Sequence, residues 1–172
     1  MKVISFQNDV LPLKNKLYRL ALRITLNAED AEDVVQETMM KVWSRRQQWE
    51  QIESMEAFCM TICRNLALDK TRRMAADDQS LEANEIDAPA HSHHANPEEQ
   101  TIQQDRIRLV RQIIDQLPEK QRSVMHLRDF EGKSYKEIAT ILSITEEQVK
   151  INIFRARQTV KSRFLQSEAF GI

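Results

Sequence analysis

Glycine is almost missing from this chain. Of its 172 residues only Gly132 and Gly171 are glycine, and only four are proline; average usage of about 7% and 5% would supply roughly twelve and nine. A β-sandwich or barrel needs many tight turns built from these residues, so an all-β fold is excluded. A phosphate-cradling loop, which needs several glycines close together, is excluded as well. Cys59 and Cys63 are the two cysteines, too few for a disulfide framework. No apolar run approaches the roughly 18 residues needed to span a bilayer. The opening MKVISFQNDV turns polar too soon for a secretory leader. What is present is 41% apolar and 30% charged residues. The expectation is a soluble, mostly helical, cytoplasmic protein without direct membrane insertion.

The net charge of −1 conceals a split. Residues 1–73 carry 12 Lys and Arg against 10 Asp and Glu, and residues 106–172 carry 13 against 8. Between them, residues 74–105 hold 8 acids and no Lys or Arg. This connector contains Pro89 and Pro97, scattered small polar residues and almost no apolar periodicity, the composition of a solvated linker. Its acidity reads as a solubility device, or as a segment that shields a basic face or follows a basic channel on a partner. The domain expectation is therefore 1–73, an acidic linker over 74–104, and 105–172.

Helix signals are legible. Leu13, Leu17, Leu20 and Ile24 share one stripe of a helix expected over Val10–Thr25. Asn27 before Glu29 and Asp30 places a cap and two acids at the start of a second helix running to Arg45. Ser54 with Glu56 opens a third, through Phe58, Ile62 and Leu66 to Arg73, with an extra turn between Arg46 and Glu53. Asn96-Pro97-Glu98-Glu99 opens a helix that should end at Leu117, before Pro118. Pro118 starts the next, through Arg128 and stopped near Gly132. No strand pattern of useful length occurs. The fold class is all-α: two small helical domains, an N-terminal three-to-four-helix bundle and a C-terminal helix-turn-helix domain, joined by a flexible acidic linker.

The strongest constellation lies in the C-terminal block. Ser134-Tyr-Lys-Glu137 and Thr145-Glu-Glu-Gln148 are capping boxes that open a short helix over 135–142 and a second, basic helix. Ile138, Ala139 and Leu142 form the inner face of the first, and Ile144 plugs the turn. Val149, Ile153, Ala156 and Val160 form the inner face of the second. Glu147, Ile151, Phe154 and Gln158 then point the other way, flanked by Lys150, Arg155 and Lys161. Outward Ile and Phe among cations suit a DNA groove, where apolar atoms meet thymine methyls and cations meet phosphates or base edges. The bland alternative packs Ile151 and Phe154 on a neighbouring helix.

At this point the chain resembles a known family. LPEKQRSVMHLRDFEGKSYKEIATILSITEEQVKINIFRARQTVKSRF is similar to region 4 of the sigma-70 family. NAEDAEDVVQETMMKVW followed by AFCMTICRNLALDKTRR is similar to its region 2. Order and spacing match the extracytoplasmic-function (ECF) subfamily. The resemblance implies a sigma factor that binds core RNA polymerase and directs promoter recognition and DNA opening. Region 2 would bind the polymerase clamp and open the −10 element, while region 4 would bind the flap and read the −35 element. The family is often held inactive by an anti-sigma factor. No cofactor and no enzymatic activity of the chain's own are implied.

The resemblance assigns roles by position. Asp33, Gln36, Glu37 and Met40 fall on the polymerase-binding face, a mixed polar and apolar docking surface. A solvated acidic face is the alternative, and Trp43 is expected to close the bundle core. Asn65 falls where relatives read the captured −10 base, with Arg64, Lys70, Arg72 and Arg73 supplying phosphate-binding charge. Phe58 stands where many relatives have Trp and serves either stacking or the core. The loop from Gln47 to Glu56 is expected to add specificity. Lys150, Ile151, Asn152, Phe154 and Arg155 match the −35 reading surface, and Arg128 supports it from the preceding helix. One departure is Ser143, where the family's turn usually carries Gly.

Two rival readings compete. A metal enzyme would use His91, His93 and His94, with Cys59 and Cys63 able to join a site, but the histidines sit in the linker and a core helix face claims the cysteines. The expectation is no metal. A plain helix-turn-helix regulator would leave the region 2 motifs unexplained.

Overall fold

The structure, a computed structural model, describes residues 3–80 and 102–169. The expected cap at Asn96-Pro97 and the three linker histidines lie outside the described residues. Seven α-helices occur among them: α1 (Lys14–Thr25), α2 (Ala28–Ser44), α3 (Met55–Ser80), α4 (Ile102–Asp115), α5 (Glu119–Met125), α6 (Tyr135–Leu142) and α7 (Glu146–Ala169). No strand occurs among the described residues.

The helix expected from Val10 starts later, because the chain first makes a π-type turn over Phe6–Val10 and a 3-10 turn over Leu11–Leu13. A 3-10 turn over Arg46–Gln51 fills the expected extra turn. The largest departure is α3, expected to stop at Arg73 but continuing to Ser80. No Gly or Pro interrupts that stretch, and Met74, Ala75 and Ala76 are good helix formers. α5 runs on into a wide turn over His126–Phe130, ahead of Gly132 at φ 68°.

The caps follow the chemistry of the sequence. Asn27 accepts from Asp30 N at 3.0 Å and Ser134 Oγ accepts from Glu137 N at 3.1 Å. Thr145 and Gln148 make the reciprocal pair, at 3.0 and 3.1 Å. Each such cap contributes about 1 kcal/mol by satisfying amides the helix cannot. Between α1 and α2 the chain turns through Leu26 at φ 55°, a left-handed conformation unusual for Leu.

Helices α1, α2 and α3 form the N-terminal bundle. Leu17, Leu20, Ala21 and Ile24 of α1 meet Ala31, Val34, Val35, Thr38 and Val42 of α2 in its core. α3 is buried nearly all round from Cys59 to Ala67, because it has partners on two sides: α1 and α2 on one, α6 on the other. A helix buried on two sides shows little amphipathic pattern in its sequence. The core is continuous from this bundle into Val124, Leu127, Ile138, Ile141, Leu142, Val149 and Ile153 of the C-terminal half. A satellite cluster of Ile114, Leu117, Met125 and Ala156 holds α4 and α5 against α7.

The seam between the halves also carries polar links. Arg122, 7% exposed, donates to Asp115 O and Leu117 O at 3.1 and 3.0 Å, and to Ile24 O at 3.3 Å. It thereby satisfies carbonyls in the last turns of α4 and α1, which have no partner within their own helices. Burial pulls its pKa below the ordinary guanidinium value, against the opposite pull of Glu119 and Asp115. Arg23 pairs with Asp115 at 2.6 Å, and Arg19 with Glu131 at 2.8 Å. Lys133 reaches Glu56 at 2.7 Å, and Lys16 shares that carboxylate at 3.1 Å. Burial raises the Glu56 pKa, but these two ammonium groups outweigh it and hold the carboxyl below the usual range.

Candidate nucleic-acid and protein-docking faces

The C-terminal face is built on α6 and α7. Val149, Ile153 and Ala156 are buried, which fixes the rotation of α7. That rotation puts Ile151 (47% exposed) and Phe154 (66%) outward, with Lys150 and Arg155 exposed beside them. The alternative that Ile151 and Phe154 pack on another helix is not what the structure shows. Asn152 is half-buried, and its amide donates to Gln148 O at 2.8 Å, one turn back. Arg128 donates to Lys133 O at 2.9 Å while its guanidinium lies 4.5 Å from the centre of the Tyr135 ring. Lys150 stands over the same ring at 5.9 Å. Ser143 takes the left-handed conformation its position implies, φ 55° and ψ 46°, and α7 still leaves the turn in register.

The N-terminal face is built on α2. Its buried stripe turns Asp33, Gln36, Glu37 and Met40 to the surface, Met40 at 72% exposure. The expectation for Trp43 needs correction. Val42 points inward, so its neighbour Trp43 points out and is 49% exposed. Trp49 closes the core instead, donating its indole N–H to Val42 O at 3.1 Å. Trp43 meets the rings of Phe6 and Trp49 edge-on and carries the Arg46 guanidinium at 4.7 Å. It extends the exposed stripe Gln36, Met40, Trp43 at i, i+4, i+7. Helical spacing accounts for this, because Val42 takes the inward position and its neighbour must face out.

The cations expected to meet single-stranded DNA have separate fates. Arg64 is corrected as a surface charge: it is 9% exposed and donates to Leu142 O at 3.3 Å, with Glu119 at 3.8 Å. Leu142 is the last residue of α6, so Arg64 caps that helix from the other half of the molecule. Lys70 donates to Asp33 across α2 and α3 at 3.4 Å, and Arg72 lies 3.9 Å from Asp69 on its own helix. Arg73 and Asn65 are exposed. Phe58 is half-buried and packs against the core, which favours the core role over stacking.

Cys59 and Cys63 are buried in the bundle, and burial pushes both thiols up to about 12. Among the described residues no group of three or more His, Cys, Asp and Glu is placed to hold a metal. Among the same residues no helix is long and apolar enough to cross a membrane.

Comparison with known proteins agrees with this geometry. Residues 10–76 match the Sigma-70 region 2 family, and residues 107–160 match the family described as Sigma-70, region 4. The chain is 30% identical over 162 residues to the RNA polymerase sigma-H factor of Pseudomonas aeruginosa, covering 91% of this chain and 84% of that protein. It is 31% identical over 158 residues to the probable RNA polymerase sigma factor RfaY of Xanthomonas campestris pv. campestris, and 34% identical over 149 residues to the ECF RNA polymerase sigma factor SigE of Mycolicibacterium smegmatis. These matches cover 91% and 86% of this chain, which spans 40% and 56% of the two relatives. Among solved structures it resembles the sigma factor RpoE in complex with the anti-sigma factor NepR from Bartonella quintana. There the TM-score is 0.75 at 24% identity, over 94% of this chain and 96% of that one. It also resembles CnrH in complex with the cytosolic domain of CnrY, with TM-score 0.64 and 20% identity over 91% of this chain and 85% of that one. With both motif blocks in order, an outward-facing helix-turn-helix and these relatives, the chain belongs to the sigma-70 family as an ECF-type sigma factor.

Proposed function

We propose that the N-terminal unit docks on the polymerase clamp through Asp33, Gln36, Glu37, Met40 and Trp43 and handles the −10 element. The C-terminal unit binds the flap and reads the −35 element. The carrying observation is the outward face of α7, where Ile151 and Phe154 are exposed between Lys150 and Arg155 on a helix whose rotation the core fixes. Asn152 and Arg128 support that face. Asn65 reads the −10 base, with Lys70, Arg72 and Arg73 contacting phosphates. Arg64 joins them only after the seam parts, because in the closed arrangement it is held on Leu142 and Glu119. The units correspond to residues 1–73 and 105–172, with the acidic segment 74–104 between them, although its first residues extend α3. The chain acts in the cytoplasm and supplies promoter recognition, while RNA synthesis is catalysed by the core enzyme. An anti-sigma factor is a further proposed partner, as in the RpoE–NepR complex above.

Transcription with core polymerase from a promoter library randomised separately at the two elements tests this division. Arg155→Ala should alter −35 preference and Asn65→Ala −10 preference, each lost base contact costing about 1–3 kcal/mol of discrimination. An exchange of the two effects would refute the assignment.

A further inference from the structure

Tyr135 does more than begin α6. It is half-buried against the core, which holds its ring in place. Two cations from two other elements lie over that ring: Arg128, from the wide turn after α5, and Lys150, from the first turns of α7. Both are within the roughly 6 Å at which an aromatic face attracts a cation. Arg128 is further held by its bond to Lys133 O.

We infer that Tyr135 is a positioning residue for duplex binding: its ring face pre-sets Arg128 and Lys150 as a pair of phosphate-contacting cations beside the Ile151 and Phe154 surface. The inference rests on the reading of α7 as the −35 face. Free Lys and Arg side chains each lose substantial rotamer freedom when they settle on a phosphate. A ring that has already gathered them reduces that loss. The ring also draws together cations from two elements that like charge alone would keep apart. Tyr suits this position because one side of the ring can pack on the core while the other stays available to cations.

The test uses the full chain bound to core polymerase, with promoter duplex containing the −35 element and the same duplex truncated downstream of it. Tyr135→Phe keeps the aromatic face and should bind like the parent protein. Tyr135→Leu keeps bulk without the ring and should weaken binding of the full duplex roughly fivefold to tenfold. Neither variant should change binding of the truncated duplex. In the free protein, the side-chain protons of Arg128 and Lys150 should show ring-current shifts that persist in Tyr135→Phe and vanish in Tyr135→Leu. Should Tyr135→Leu fail to fold, Tyr135→Met serves in its place. Full-strength binding by Tyr135→Leu overturns the inference, as does equal weakening by Tyr135→Phe, which would point to the hydroxyl. If Arg128→Ala and Lys150→Ala also leave full-duplex binding unchanged, the −35 reading of this face fails and takes the inference with it. If those two weaken binding and Tyr135→Leu does not, only the inference fails.

Discussion

The seam between the halves and the outward face of α7 are both rich in arginine and lysine, yet they use these residues in opposite ways. At the seam, Arg122 and Arg64 are buried and end on the carbonyls of helix C-termini belonging to the other half. On α7, Lys150 and Arg155 stay exposed, and their neighbours Ile151 and Phe154 leave apolar surface uncovered. A buried guanidinium has several donors to satisfy and costs several kcal/mol to desolvate, so it is retained where fixed acceptors meet it. An exposed one contributes little to folding and is available to a ligand. On the proposed reading the seam carries stability and the faces carry binding, and substitutions should divide along that line.

The largest effect is expected on a face. Asp33→Arg with Glu37→Arg should abolish association with core polymerase while changing folding stability by no more than about 0.5 kcal/mol. Co-purification paired with urea denaturation measures both. A variant that unfolds, or that still binds, breaks the distinction.

Next is Arg122→Met at the seam. It strands carbonyls of α1 and α4 that Arg122 satisfies, so it should cost about 3 kcal/mol of stability. Arg155→Met, on the exposed face, should melt like the parent protein and lose −35-dependent transcription. Equal thermal stability of the two variants would dissolve the contrast.

A comparable effect is expected from acid. His126 lies 4% exposed beside the seam, 3.5 Å from Glu131, with Arg19 and Arg23 nearby; burial lowers its pKa to about 4. It is therefore neutral at pH 7, and the unfolded chain, with an ordinary value of 6.5, binds the extra proton. Stability should accordingly be full above about pH 6.5 and decline as pH falls towards 4, by at most about 3 kcal/mol. Comparing urea midpoints at pH 7.5 and 5 with those of His126→Gln measures it. An unchanged pH slope in the variant would remove His126 as the cause.

Smaller still is the pair Arg23 and Asp115, partly exposed on both sides. Exchanging them, Arg23→Asp with Asp115→Arg, should recover most of what either single change loses, about 1 kcal/mol or less. The smallest response should come from Cys59 and Cys63, whose thiols stay protonated at pH 7 and out of solvent. Neither should react with a thiol reagent until the bundle unfolds.

Local chemistry was enough to place most helices and the rotation of α7. Caps such as Asn27, Ser134 and Thr145 act over three residues, and the stripe Val149, Ile153, Ala156 repeats at helical spacing, so both are written along the chain. The outward Asp33, Gln36, Glu37 and Met40 follow from the same periodicity. Tertiary structure alone decided the fate of the arginines. Arg64 shares a helix side with the apolar Met60 and Ala67, but the carbonyl that receives it belongs to Leu142, 78 residues away, and no local signal names that partner. Nor could local pattern gather Arg128, Tyr135 and Lys150, or bring the Trp49 indole back onto Val42 O. Helix position and facing are set by bonds and apolar spacing within a few turns. Which charge is buried and which is left for a partner depends on where distant helix ends arrive, and that is settled only when the halves pack together.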